Sequence, residues 1–225
     1  MQRLSITFSK GEELLFISHL DLMRLWQRSL RRAGIPVVYS QGFSPHPRIS
    51  LASPLPVGVT SSGELMDLQL ERRLSPNFFL KTIYTQLPRG IAISEIIEIP
   101  LQSPSLQSQT RFAEYSVVIK SDERHDEIEK ALESLLNETT IPWQHLRNKE
   151  IRQYDLRRLI QDLWIAEWND HRGTLGMRLK CDSTGTGRPE QVTLALGFDK
   201  PPTSIHRQRI ILAKGSNAFS SQRSG

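Results

Sequence analysis

The sequence predicts an α+β chain built of two tandem ferredoxin-like (βαββαβ) units, the second less regular than the first. Three observations lead there. The first hundred residues carry strand and helix periodicities in the order strand, helix, strand, strand, helix, strand. An aperiodic polar stretch, PLQSPSLQSQT, follows from Pro100 to Thr110. Beyond it the same order partly returns. The expected layout is a first domain over residues 1–99, a linker over 100–110, a second domain over 111–212 and a disordered tail over 213–225.

In RLSITFSK, Leu4, Ile6 and Phe8 alternate with polar neighbours, the pattern of a half-buried strand. SHLDLMRLWQRSLRRAG is a helix, with Ser18 as N-cap, Asp21 three residues on, and Gly34 ending it ahead of Pro36. RISLA and ELMDLQLE give two strands, the latter with Met66, Leu68 and Leu70 on one face. SPNFFLKTIYTQL is a second helix, Ser75 at its N-cap and Pro76 at its first position. GIAISEIIEI closes the unit with Ile91, Ile93, Ile97 and Ile99 on one side. After the linker, EYSVVIK is a strand presenting Tyr115, Val117 and Ile119 together. DERHDEIEKALESLLNE is a helix with Ile128, Leu132, Leu135 and Leu136 on its apolar side. Strand-like segments follow at Ile151–Ile160 and Thr174–Cys181; GRPEQVTLALGF opens a short helix at Pro189, and IHRQRIIL is the last strand. The tail KGSNAFSSQRSG is too polar to pack.

With 38% hydrophobic and 24% charged residues, the composition is that of a globular protein. No apolar run approaches the ~20 residues that span a bilayer, and MQRLSITFSK lacks the layout of a signal peptide, so a cytoplasmic location is expected. The single cysteine, Cys181, excludes an intrachain disulfide, a Cys-rich zinc site and an iron–sulfur cluster. Its alternation with Met177 and Leu179 points to a buried strand face. The six histidines include no H-x-x-x-H pair, and neither a metal nor any other cofactor is expected in this chain.

The net charge of +5 is modest, but its distribution is uneven. At about 100° per residue, Arg24, Arg28, Arg31 and Arg32 fall within one arc of the first helix, opposite Leu22, Trp26, Leu30 and Ala33. Only Asp21 lies near enough in sequence to pair with them. Unpaired guanidinium forks suit phosphates, which they bind bidentately. A second basic run holds Arg147, Lys149, Arg152, Arg157 and Arg158, and Arg207 and Arg209 alternate onto one face of the last strand. Acids concentrate instead in the helix from Asp122 to Glu138. No RRM, zinc-finger or KH signature accompanies these runs.

Three residues are candidates for acid–base chemistry: His19 and Asp21 in SHLD, and His46 in SQGFSPHPRIS. A neutral His19 at a helix start beside arginines suits a general base, although packing or capping is the simpler role. Two prolines stiffen the loop around His46, so Gln41, Phe43, His46 and Arg48 would lose little entropy on binding a partner. GTGRPE, Gly185 to Glu190, opens a helix and offers backbone amides to an anion, but lacks a complete dinucleotide or P-loop motif. No G-x-S-x-G elbow is present.

The run from Phe16 to Glu64 closely resembles the radical SAM-linked proteins, a bacterial family. The matching elements are Ser18-His19-Leu20-Asp21, the arginine-rich helix, Tyr39-Ser40-Gln41-Gly42-Phe43, Pro45-His46-Pro47, Pro54-Leu55-Pro56-x-Gly58 and Ser62-x-Glu64. YDLRRLI (Tyr154–Ile160), GRPEQV (Gly187–Val192) and IHRQRI (Ile205–Ile210) extend the resemblance more loosely over the second half. Members of that family are fused to, or encoded beside, a radical SAM protein with a cobalamin-binding-type domain, so the resemblance implies that partner. Family genes near ribosomal proteins and ribonucleases make RNA or a ribonucleoprotein the implied substrate. The implied role is an accessory module presenting it, with Arg24, Arg28, Arg31, Arg32, the Gln41–Arg48 loop, Arg157, Arg158, Arg207 and Arg209 as the binding residues. Two alternatives stay open: a domain that docks the radical SAM partner without RNA, and a metal-independent RNA-processing enzyme using His19 or His46. The latter is suggested by a distant likeness of the fold to CRISPR RNA-processing endoribonucleases.

Overall fold

The computed structural model describes residues 1–147, 150–169 and 171–213. Lys149, the side chain of Arg147 and the tail from 214 onward lie outside the described residues. The chain is of mixed α+β class and divides into two compact units: Met1–Thr110 together with Leu212 and Ala213, and Arg111–Ile211.

The first unit runs β1 (Gln2–Lys10), α1 (His19–Arg32), β2 (Ile49–Leu51), β3 (Val59–Leu70), α2 (Pro76–Tyr84), β4 (Ile91–Ile99) and a one-turn α3 (Leu106–Gln109). Its strands lie in the order β2-β3-β1-β4 and each neighbouring pair is antiparallel, with Ile6 opposite Met66 and Ile96, and Ile49 opposite Leu68. Leu4, Ile6 and Phe8 point into the core with Leu22, Trp26 and Leu30 of α1. Phe8 and Trp26 meet edge to face, centroids 5.0 Å apart. The apolar arc of α1 is thus the buried one.

β1 departs from a half-buried strand in that its polar face is buried as well. Arg3, Ser5 and Thr7 are all buried, and Arg3 pairs through Nε with Asp67 at 3.0 Å. The same guanidinium donates to the carbonyls of Leu101, Ser103 and Pro104. Burial pushes the Asp67 carboxyl up in spite of Arg3. Residues 100–110, expected as a linker, therefore belong to the first unit. Ser105 caps α3 by accepting from the Ser108 amide, and Leu106 and Thr110 are buried. Proline and serine content marked an irregular chain, not a loose one.

The second unit holds β5 (Thr110–Ile119), α4 (His125–Asn137), a hairpin of β6 (Pro142–Arg147) and β7 (Glu150–Asp155), a 3-10 turn at Leu156–Leu159, β8 (Ile160–Asn169), β9 (Arg172–Asp182), β10 (Gly185–Thr186), α5 (Pro189–Ala195) and β11 (Ser204–Leu212). Its principal strands lie in the order β8-β9-β5-β11, with β10 also on β9 and the β6–β7 hairpin separate. That inserted hairpin is what makes the second half less regular.

The strand expected over Ile151–Ile160 is corrected: that stretch covers most of β7, the 3-10 turn and only the first residue of β8. The sheet strand is Ile160–Asn169. Two register shifts break its alternation, and Trp164 and Trp168 lie opposite Gly176 and Gly173 of β9. A Cβ on Gly176 would come within 1.9 Å of Trp164 Cε2, and one on Gly173 within 2.1 Å of Trp168 Cζ3. The indoles occupy the space that side chains would need. Cys181 is buried in β9.

Candidate nucleic-acid interface

The basic surface of the first unit begins with how α1 is started. Ser18 Oγ accepts from the Asp21 amide (3.2 Å) and donates to Asp21 Oδ2 (2.7 Å). Asp21 in turn pairs with Arg24 at 3.1 Å. Hydrogen bonds from Ser18 and Arg24 hold the Asp21 carboxyl below its usual range. The SHLD start is therefore an N-cap with one ion pair. Arg28 and Arg31 are exposed, and among the described residues no carboxylate pairs with either. Arg32 is exposed and donates to the Gln86 carbonyl at 2.7 Å.

After Gly34 (φ 64) the chain returns along β3. Val37 bridges Leu70, the Val38 amide donates to the Gln69 carbonyl, and the Arg48 amide donates to the Val38 carbonyl. Between these anchors the loop of interest closes on itself. The Ser40 amide donates to the His46 carbonyl (2.8 Å), the His46 amide to Ser40 Oγ (3.0 Å), and Tyr39 bridges Pro47. Gly42 takes a φ of 127, a conformation that L side chains rarely adopt. Phe43, next along, is 110% exposed. Arg48 is exposed at the loop's exit and reaches Gln69 Oε1 at 3.3 Å.

This register puts the last turn of α1 and the Gln41–Arg48 loop at one end of the unit. Sequence reading missed two members of that end. Arg72 is exposed just past β3, where the Glu71 amide donates to the Pro36 carbonyl, and it has no carboxylate partner among the described residues. Tyr39 is 45% exposed at the loop base. Nothing local marks the exposure of either one; the pairing of residues 37–38 with the end of β3 brings them there.

His19 and His46 do not meet. His19, half-buried at the start of α1, lies by the opposite end of the sheet, where Lys10 pairs with Ser61 and the Gly58 amide donates to the Leu15 carbonyl. Along β3, Ser61 at the one end and Leu70 at the other are nine residues apart, roughly 30 Å at about 3.3 Å per residue. Asp21 shares the His19 end, and His46 is exposed in its loop.

Two of the second-unit candidates, Arg157 and Arg207, are corrected. Arg157 donates through Nε and Nη2 to the Leu136 carbonyl (3.1 and 2.8 Å) and through Nη1 to the Ile160 carbonyl (2.8 Å), so its fork closes the end of α4. Arg207 is 1% exposed and offers no surface. Arg209 and Arg178 both bond the buried Glu114, at 2.5 and 2.7 Å. Burial alone would raise the Glu114 carboxyl, but hydrogen bonds from these two arginines hold it below its usual range. Arg158 stays exposed beside Asp155 at 3.2 Å.

GTGRPE is corrected too. The Gly187 amide donates to the Lys180 carbonyl, and a Cβ there would come within 2.9 Å of the Leu159 carbonyl oxygen. Its glycines allow close packing on the 3-10 turn and do not form an anion cradle. Tyr154 of the hairpin donates to Gln191 Oε1 at 2.7 Å, so YDLRRLI and GRPEQV meet as a structural joint. Among the described residues no cluster of three His, Cys, Asp or Glu could hold a metal, and no helix is long and apolar enough to cross a membrane.

Comparison of the fold with solved structures finds a chain of a Cbf5-Nop10-Gar1 complex at a TM-score of 0.53 and 12% identity, covering 92% of this chain and 48% of that one. A chain of an archaeal box H/ACA sRNP Nop10-Cbf5 complex gives 0.48 at 11% identity, covering 91% and 46%. A chain of an H/ACA RNP bound to a substrate RNA containing 2'-deoxyuridine gives 0.49 at 10%, covering 92% and 47%. The chain thus spans about half the length of these structural relatives, and at 12% identity the match at 0.53 is a likeness of fold alone. No curated protein matches it by sequence. A family profile covers residues 3–189, and the chain accordingly belongs to the DUF2344 family, an uncharacterized protein conserved in bacteria.

Proposed function

We propose that this chain is an accessory module that binds RNA and presents it to a radical SAM enzyme. The observation that carries the RNA half is a set of exposed guanidiniums in the first unit with no carboxylate partner among the described residues: Arg28 and Arg31 on α1, Arg32, which donates to the Gln86 carbonyl, Arg48, which donates to Gln69, and Arg72 just past β3. Guanidiniums left without counter-charge suit phosphate, which they bind through bidentate forks. The partner half rests on the resemblance of Phe16–Glu64 to the radical SAM-linked proteins.

The test is RNA binding as a function of salt. Four or five neutralised phosphates give a slope of about −3 in log K against log salt, from −0.7 per contact on a single strand. Between 50 and 200 mM salt the affinity should then fall roughly sixty-fold. Arg28→Ala with Arg31→Ala should flatten the slope by about 1.4 and leave the melting temperature in place. Salt-independent binding, or none, overturns the RNA reading. Retention of the radical SAM partner after nuclease treatment would then mark a protein-docking domain.

A further inference from the structure

We propose that the RNA is taken as a single strand, with one base stacked on Phe43; this rests on the RNA-binding reading above. An isolated exposed apolar side chain needs no explanation. Phe43 differs in how it is held. Its loop is closed by the Ser40–His46 amide and hydroxyl bonds and by the Tyr39–Pro47 bridge, so the ring stands on a fixed base. Gly42 at φ 127 shapes the tip, and Pro45 and Pro47 restrict the descending limb. The fold gives the ring no packing role, since it is 110% exposed.

The second observation is charge. Arg48 leaves the same loop, and the pairing of residues 36–38 with the end of β3 brings the exposed Arg31 and Arg72 to the same end of the unit. An aromatic face beside a basic track is the arrangement that binds unpaired nucleotides, because every base has a π-face once it leaves a duplex. A duplex keeps those faces stacked on one another and engages only the guanidiniums. Tyr39, exposed at the loop base, supplies a second ring near the same path. A docked protein partner would also use an aromatic and arginines, but would not separate paired from unpaired RNA.

The experiment compares a mixed-sequence 12-nucleotide RNA with the same RNA fully paired, using the whole chain. The wild type should bind the single strand about ten-fold or more tightly over the duplex. Phe43→Ala should remove that preference, weakening the single strand on the order of ten-fold while leaving duplex affinity, the salt slope and the melting temperature unchanged. Phe43→Trp should restore it. Gly42→Ala meets no neighbouring atom within 4 Å, so it acts only through the backbone and should weaken the single strand alone. Equal binding of the two forms, or an equal loss on both with Phe43→Ala, overturns this inference and leaves the RNA reading standing. Binding of neither form overturns both.

Discussion

Replacing Arg157 by alanine separates the structural arginines from the binding ones. Its fork makes three hydrogen bonds, two to the Leu136 carbonyl in the last turn of α4 and one to the Ile160 carbonyl at the start of β8. Bonds from a charged donor contribute about 1.5–3 kcal/mol each, and a cation at a helix C-terminus about 0.3–1 kcal/mol more. Two of the bonds share one acceptor and the effects are not additive, so about 3 kcal/mol is the expected loss. At about 2–4 °C per kcal/mol for a chain of this size, Tm should fall by roughly 6–12 °C. Arg158→Ala is the control. That side chain is 83% exposed and its pair with Asp155 is worth at most about 0.5 kcal/mol after solvent screening. Thermal melts read both, and RNA binding measured below the variant's own melting transition should be unchanged. An unaltered Tm together with weakened RNA binding would refute the assignment.

Two further outcomes follow from the second unit. Gly176→Ala places a Cβ 1.9 Å from the Trp164 ring, so the indole must leave its place; a loss of about 1–3 kcal/mol or more is expected in denaturant titration, and a neutral effect would contradict the Trp–Gly pairing. Glu114 is held below the usual carboxylate range by Arg209 and Arg178 against the opposing effect of burial, so its contribution is complete above the unfolded-state pKa and is lost as pH falls through the folded one. The Tm difference between wild type and Glu114→Gln should therefore be full near neutrality and close on acidification below the ordinary glutamate value. A difference that grows on acidification would reverse the sign of this account.

Local pattern was enough for α1, because fourteen residues of amphipathic period fix both its buried face and its arginine face. It was enough for the Ser18, Ser75 and Pro189 helix starts, whose chemistry is local. It failed at β8, where the tryptophans answer glycines on another strand and two register shifts erase the alternation. It failed for Arg207 for a related reason: alternation assigns a side chain to one face of a strand but does not say whether that face meets water. Arg157 looked like one more member of a basic run until the end of α4 came within reach of its fork. The separation of His19 from His46, and the gathering of Arg72 with Arg31, depend on β3 and its partners, residues distant in sequence.

The most direct measurement is crosslinking and sequencing of RNA bound to this chain in its own cells, beside the Arg28→Ala/Arg31→Ala variant with an unchanged Tm. A defined set of RNAs recovered with the wild type and lost from the variant is the predicted result. The same RNAs from both proteins, or none from either, would contradict it.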